Sequence, residues 1–398
     1  MLNVLILSFY YHPDLSAGSF RATALVSALR EKLSADAHVD VVTTFPNRYG
    51  TFSNEAPERE SSEGLDIYRI KLPGHKSGMV DQSKAFMHFA KEVLAFAKLR
   101  QYDLIFVTSG RLMSAFLGAV IAKRQKAKLY LDIRDIFVDT IKDVLPRKFS
   151  LLVKPLFSLI ERWTIGQADK VNLVSRGFEP YFNARYPAQK FSFFTNGIDD
   201  EFVSAVFESS QNVVNPGPVS VLYAGNIGEG QGLHAIVPAL AQRMAGRVTF
   251  KLVGDGGRKG VLKSALEQAG VTNVELLPPV KRDQLIQAYR GADVLFLHLN
   301  DYNAFKKVLP SKLFEYAAMG KPIWAGVSGY AAEFVKSEIT NVAIFNPCNY
   351  IEAEEVFSSL TLVDLRRQGF VDKFARVNIM KEMADDVLSL VKGTADVC

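Results

Sequence analysis

Cysteine is almost missing from this 398-residue chain: Cys348 and Cys398 are its only two. That is too few for a disulfide framework, and it points to a reducing compartment. No basic-then-apolar leader is expected, because MLNVLILSFYY already reads as a strand. No apolar run reaches the roughly 18 residues that span a bilayer; SAFLGAVIA stops at Lys123 and Arg124. A soluble protein, or one seated on a membrane surface, is expected. Ser-His-Asp and Cys-His spacings are absent, and a single internal cysteine argues against thiol chemistry. What is present is a globular composition, 48% apolar and 22% charged, on a chain long enough for two domains of similar size.

Charge is unevenly placed. Residues 1–200 hold 27 Lys and Arg against 21 Asp and Glu; residues 201–398 hold 20 against 21. The net charge of +5 therefore belongs to the first half. Ordinary scatter accounts for it about as well as an anionic partner there, such as lipid headgroups or nucleic acid. Two basic stretches sharpen the question. In SKAFMHFAKEVLAFAKLR, Lys84, Lys91 and Lys98 recur on one helical face, with Phe86, Phe89, Val93 and Phe96 opposite. PRKFSLLVKPLFSLIERW sets Phe149, Leu152, Leu156, Ile160 and Trp163 against Lys148, Lys154 and Arg162, with Pro155 expected to break or kink it. Core-packed helices with wet lysine faces explain both stripes.

Strand-like runs alternate with helical patterns almost throughout. NVLILSF, YDLIFVTS, KLYLDIRD and KVNLVSRG mark the first half; VSVLYAGN, RVTFKLVGD, VELLPPV, DVLFLHLN and KPIWAGV mark the second. This is the rhythm of parallel, doubly wound sheets. FESSQNVVNPGP, from Phe207 to Pro218, reads as the linker. Two such halves joined once imply a cleft, with ligands beyond the C-terminal strand ends. Glycine loops fall there, at Gly18, Gly225 and Gly254, yet none matches G-x-G-x-x-G. Each alone suits a tight turn; together they suit a phosphate site.

LPSKLFEYAAMGKPI adds a Lys312/Glu315 pair to the first turn of a short helix backed by Leu313, Phe314, Ala317 and Ala318. On an anonymous helix this would be a solvated ion pair. Beside phosphate-type loops, a lysine at a helix N-terminus suits a phosphate-binding cleft.

In order and at about the family spacing, YAGNIGEGQGLHAIVPAL, LVGDGG, NVELLPPVKRDQLIQAYRGADVLFLHL and PSKLFEYAAMGKPI resemble the donor domain of retaining GT-B glycosyltransferases of family four. The Gly18 loop, DIRDIF and TNGID give looser matches in the first half. The resemblance implies two Rossmann-like domains facing a cleft: residues 1–205 for the acceptor, 206–375 for the nucleotide sugar, and a helix within 376–398 packing back on the first. It also implies transfer from a UDP-sugar, in the closest branch an N-acetylated aminosugar, to a lipid-linked or saccharide acceptor in bacterial surface polysaccharide synthesis. Implied donor residues are Gly18, Gly225, Asn226, Gly254, Ser311, Lys312 and Glu315. Retention by front-face attack lets the leaving phosphate take the acceptor proton, so neither a strong base nor a metal cofactor is required. No nucleic acid partner is implied. The expected location is cytoplasmic, peripheral on the inner face of the plasma membrane.

Departures from the family pattern set the open questions. The first Glu of its Glu-x7-Glu pair falls on Lys307, and the clamp Arg and Lys fall near the uncharged Asn226 and Gln231. Cationic duty then passes to Lys312, with Lys306 or Lys307 beside it. The family histidine falls near Arg134 and Asp135. Asp132, Asp135 and Asp139 allow acceptor orientation, helix capping or, third, a Mg²⁺ or Mn²⁺ site. Catalytic roles are thus expected of Lys312, Asp135 and Arg134, while His12 and His298, at strand ends, are structural or incidental rather than catalytic. Two rival functions stay open: a nucleotide-sugar epimerase on a similar fold, and a non-catalytic nucleotide-sugar-binding partner.

Overall fold

The computed structural model describes residues 2–14, 16–46, 56–73, 79–138, 147–204 and 217–392, with side chains except at 79–80, 147–152 and 392. Most of the expected linker, and Asp139, Lys148, Phe149 and Leu152 of the expected features, lie outside those residues or side chains. The chain forms two compact units, residues 1–196 with 376–398, and residues 197–375. The crossover thus falls between Asn196 and Gly197 rather than after residue 205. The reason is local. Ile198 donates its N–H to the Phe374 carbonyl at 2.8 Å and bridges Ala375, while Phe202 stacks near Tyr289 at 5.9 Å. Residues 197–204 therefore belong with the second unit.

The first unit is an α/β layer built on an eight-stranded sheet ordered β3-β4-β2-β1-β5-β6-β7-β8. Its strands are β1 (Asn3–Ser8), β2 (His38–Thr44), β3 (Arg59–Ser62), β4 (Leu65–Ile70), β5 (Leu104–Ser109), β6 (Lys128–Ile133), β7 (Lys170–Leu173) and β8 (Phe191–Ser192). Only the β3–β4 pair is antiparallel. Helices cover both faces of such a sheet, so β1, β5 and β6 are continuous apolar runs rather than alternating ones. The helix Arg376–Lys392 joins this unit, where Asp385 meets Lys32 at 2.7 Å, Glu31 meets Lys381 at 3.1 Å, and Tyr130 donates to Asp386 at 2.8 Å.

The second unit repeats the plan with six parallel strands ordered β11-β10-β9-β12-β13-β14. They are β9 (Val219–Asn226), β10 (Val248–Asp255), β11 (Val274–Leu277), β12 (Val294–His298), β13 (Ile323–Gly326) and β14 (Val342–Phe345). Trp324, Phe250, Phe296 and Phe345 pack together at its centre. Pro155 does not break its helix, which runs unbroken over Arg147–Gly166 in the first unit. Among the described residues no helix is long and apolar enough to cross a membrane.

Candidate active site

In the second unit β9 and β10 end side by side, with Gly225 in register with Gly254 and Asn226 with Asp255. A Cβ on Gly254 would stand 1.8 Å from the Gly225 carbonyl oxygen, so backbone packing alone demands glycine there. At Gly225 the demand is different. Its Cβ would lie 2.0 Å from Lys312 Nζ and 2.3 Å from Cε. The lysine side chain thus lies over the bare backbone of the strand end, its ammonium 5.5 Å from the centre of the Tyr223 ring. Ser311 precedes the helix Lys312–Ala318 without capping it through its side chain. That helix has only seven residues, so the lysine cation, more than the dipole, carries the anion-binding argument.

Glu315, one turn on, is half-buried and accepts a hydrogen bond from Tyr289 at 3.0 Å. Desolvation raises its pKa, although Arg282, Lys312 and the Tyr289 hydroxyl pull the other way. Arg282 pairs with Asp199 and stacks on Phe202 at 4.6 Å. Burial works against its charge, but Asp199, Glu315 and Glu201 together hold its pKa above the ordinary value. Neither Tyr289 nor Arg282 stands out in the sequence. The helix Arg282–Arg290 that presents them reads as a polar amphipathic segment, and nothing local says which residues turn toward Glu315.

A raised carboxyl pKa has a consequence for stability. The folded state binds Glu315's proton more tightly than the unfolded chain does, so this group's contribution falls as pH climbs from its unfolded pKa past its folded one. Glu315→Gln removes the penalty. The variant should match wild type in thermal midpoint at pH 4 and exceed it at pH 8. In calorimetry it should bind UDP more weakly, because a carboxylate acceptor has become in part a donor. Unchanged UDP affinity would leave Glu315 a structural acceptor for the Tyr289 hydroxyl.

The two uncharged clamp positions face each other. Asn226 Nδ2 donates to Gln231 Oε1 at 2.8 Å, and the same oxygen takes the Gly228 N–H at 3.3 Å. The pair shapes the loop after β9 and brings no charge. Lys306 is exposed, 3.8 Å from Asp301. His298 is fully buried; Nε2 accepts the Cys348 N–H at 2.8 Å, which leaves Nδ1–H to donate to the Gln231 carbonyl at 2.7 Å. Burial pushes its pKa down to about 4, and a neutral imidazole with both nitrogens engaged is a structural group.

In the first unit Gly18 and Arg134 come together, since a Cβ on Gly18 would lie 2.2 Å from Arg134 Nη1. The glycine makes room for a guanidinium on the first turn of the helix α1 (Ala17–Lys32). Asp135 follows, half-buried, at the C-terminal end of β6. Asp132 is committed elsewhere. Arg21 grips it through Nε at 2.8 Å and Nη2 at 2.9 Å; Asn172 donates at 2.8 Å and Thr108 at 3.1 Å. Both charges are fully buried, and Arg21 also reaches the carbonyls of Phe194 and Thr195. Asp132 is therefore part of a saturated internal network, which leaves it no part in a metal site.

An ammonium over the end of β9, with a carboxyl one turn away, suits a phosphate beside a diol. Residues 19–197 match the glycosyl transferase 4-like domain, and residues 207–368 match the glycosyl transferases group 1 family. The chain has the two-domain GT-B fold. It is 27% identical over 210 residues to a putative colanic acid biosynthesis glycosyl transferase, WcaI, of Escherichia coli K12. That match takes in 50% of this chain and 51% of the relative, so it spans about half the length of the curated relative. Among solved structures, sucrose-phosphate synthase from Thermosynechococcus elongatus superposes with a TM-score of 0.74 at 14% identity, over 99% of this chain and 100% of that one. HepE from Anabaena, in complex with UDP and glucose, gives 0.66 at 16% identity, over 98% and 100%. At such identities these two likenesses speak for the fold.

Proposed function

We propose that this GT-B chain moves a sugar, in our reading an N-acetylated aminosugar, from a UDP-sugar to a lipid-linked or saccharide acceptor, with retention, in bacterial surface polysaccharide synthesis. The observation that carries the reading is Lys312 lying over Gly225 with Glu315 one turn behind it. Glu315 takes the ribose hydroxyls, Lys312 neutralises the departing diphosphate, and Ser311, Gly225 and Asn226 line the phosphate path. HepE's complex with UDP and glucose and the colanic acid relative support the donor and pathway classes. In the first unit Arg134 and Asp135 orient the acceptor, and the leaving phosphate oxygen takes its proton. Since Lys312 supplies the charge, we expect no metal cofactor; turnover should survive EDTA, and loss of activity restored by Mg²⁺ would overturn that part. Mass spectrometry of the protein incubated with a panel of nucleotide sugars tests the donor class. A UDP-linked sugar should be retained, whereas retention of only a non-uridine nucleotide sugar counts against it.

The second part of the reading concerns where the acceptor is met. On the helix α2 (Met79–Ala97) Phe86, Phe89 and Val93 are buried, while Lys84 and Lys91 are exposed, as is Lys98 just beyond it. Met87, between Lys84 and Lys91, is 66% exposed. Leu156 and Leu159 of the basic helix Arg147–Gly166 are 58% and 66% exposed, where the sequence pattern had placed Leu156 on the packed side. Apolar side chains among lysines suit the surface of an anionic bilayer, each basic residue there contributing roughly 1 kcal/mol. Salt-reversible binding to anionic liposomes is expected, weakened when Lys84, Lys91 and Lys98 become Glu. Equal sedimentation with neutral and anionic vesicles would point to a soluble acceptor instead.

A further inference from the structure

In the second unit Glu315 meets a tightly packed group of aromatic side chains. Tyr289, on the helix Arg282–Arg290, is fully buried. Its ring meets Tyr316 edge-on at 5.3 Å and lies 5.9 Å from Phe202. Tyr316 is itself buried, and its hydroxyl takes the Ala224 N–H of β9 at 3.3 Å. The phenol of Tyr289 is therefore held in place, and it donates to Glu315 Oε2 at 3.0 Å. Among the described residues that is the one hydrogen bond the Glu315 side chain accepts.

Packing alone does not explain this pair. A buried phenol needs an acceptor, but a carbonyl or an amide would meet that need at lower cost than an ion. Glu315 instead brings a carboxyl group to a half-buried place where desolvation raises its pKa, and Arg282 and Lys312 offset that only in part. Arg282 is also drawn to Asp199. An ionised carboxylate offers about four acceptor positions on its two oxygens. One phenolic bond to Oε2 fixes the plane of the group and, among the described residues, leaves Oε1 without a donor. A carboxylate held in one plane can accept from two neighbouring hydroxyls at once. One that turns freely must be ordered by the ligand, at a cost in entropy.

We propose that Tyr289 is a positioning residue for the donor: its hydroxyl holds the Glu315 carboxylate in the orientation that receives a ribose cis-diol, and it thereby sets a preference for ribonucleotides over 2′-deoxyribonucleotides. This rests on the ribose role given to Glu315 under Proposed function and adds the group that orients it. Tyr289 itself touches no ligand and acts through Glu315.

The test titrates the full chain calorimetrically with UDP and, separately, with 2′-deoxyuridine 5′-diphosphate. Wild type should bind UDP the more tightly. Tyr289→Phe keeps the ring beside Tyr316 and Phe202 and removes only the hydroxyl. It should weaken UDP binding by about threefold to tenfold, the range for one hydrogen bond, and leave the deoxy ligand unchanged, so that the preference narrows. Both ligands are read on one sample and the stoichiometry reports its folded fraction, so partial unfolding does not imitate the result. In a Glu315→Ala background Tyr289→Phe should have no further effect on UDP, because the two side chains act as a unit. Suppose Glu315→Ala abolishes the preference while Tyr289→Phe weakens both ligands equally or neither. That overturns the role of Tyr289 and leaves Glu315 on the ribose. Wild type that binds the two ligands alike, or a preference that survives Glu315→Ala, removes Glu315 from the ribose and this proposal with it.

Discussion

Lys312→Ala is expected to lower turnover by roughly 10²-fold or more, the usual cost of losing one preorganised charge that stabilises the transition state. The fold should survive. Lys312 occupies the first helical position, half-exposed, and its side chain covers a glycine backbone rather than filling the core formed by Leu313, Phe314 and Tyr316. Affinity for the donor should change less than turnover, because the negative charge on the diphosphate grows as the sugar leaves. Lys312→Arg is not a neutral substitution. The longer, forked head must fit where a Cβ on Gly225 could not, so only partial rescue is expected. Normal turnover in a well-folded Lys312→Ala protein would remove the leaving-group role.

The largest effect on stability is expected at Arg21. Removing it strands Asp132, which has no exposed surface, with Asn172 and Thr108 as its remaining donors. Breaking one side of a buried ion pair costs about 3–5 kcal/mol. Arg21→Met should therefore lower the thermal midpoint of the first unit by several degrees, about 2–4 °C for each kcal/mol at this size. UDP binding, read in the second unit, should persist below that transition. Adding Asp132→Leu to Arg21→Met should return part of the loss, since an apolar pair of similar volume often replaces a buried ion pair without penalty. If the single variant melts with wild type, Asp132 is not held as the distances indicate.

The strands legible in the sequence were those buried on both faces. NVLILS, LIFVTS and KLYLDI need no partner to be recognised as apolar runs. β2 and the β3–β4 pair leave no such signal, for a physical reason. HVDVVTT carries Asp40, fully buried, whose charge is met by Arg100 at 2.8 Å and the Tyr102 hydroxyl at 2.6 Å. Partners some sixty positions away make a carboxylate tolerable in a strand, and no local pattern announces them. Edge strand RESS is polar throughout and gains its identity from pairing with β4.

At the site, the Lys312/Glu315 spacing was legible because helical periodicity places both on one face. The setting of each was not. Gly225 reads as a generic turn residue until Lys312 is seen lying over it, and Gly254 reads the same way although its neighbour is the Gly225 carbonyl. DIRDIF looks like three interchangeable polar groups. The structure separates them into a saturated internal Asp132, an Arg134 seated on Gly18, and an Asp135 at the strand end.

The central claim, transfer of a sugar from UDP to an acceptor, is tested most directly by following UDP release. Purified protein would be mixed with the UDP-linked N-acetylated aminosugar it retains, with and without a prenyl-diphosphate-linked glycan, and the products read by mass spectrometry. The account predicts that UDP appears only when the acceptor is present, in step with an acceptor one sugar heavier, and that Lys312→Ala suppresses both. An altered sugar still attached to UDP with no acceptor added would identify an epimerase, and a bound but unchanged donor under all conditions would identify a binding partner; either result contradicts the account.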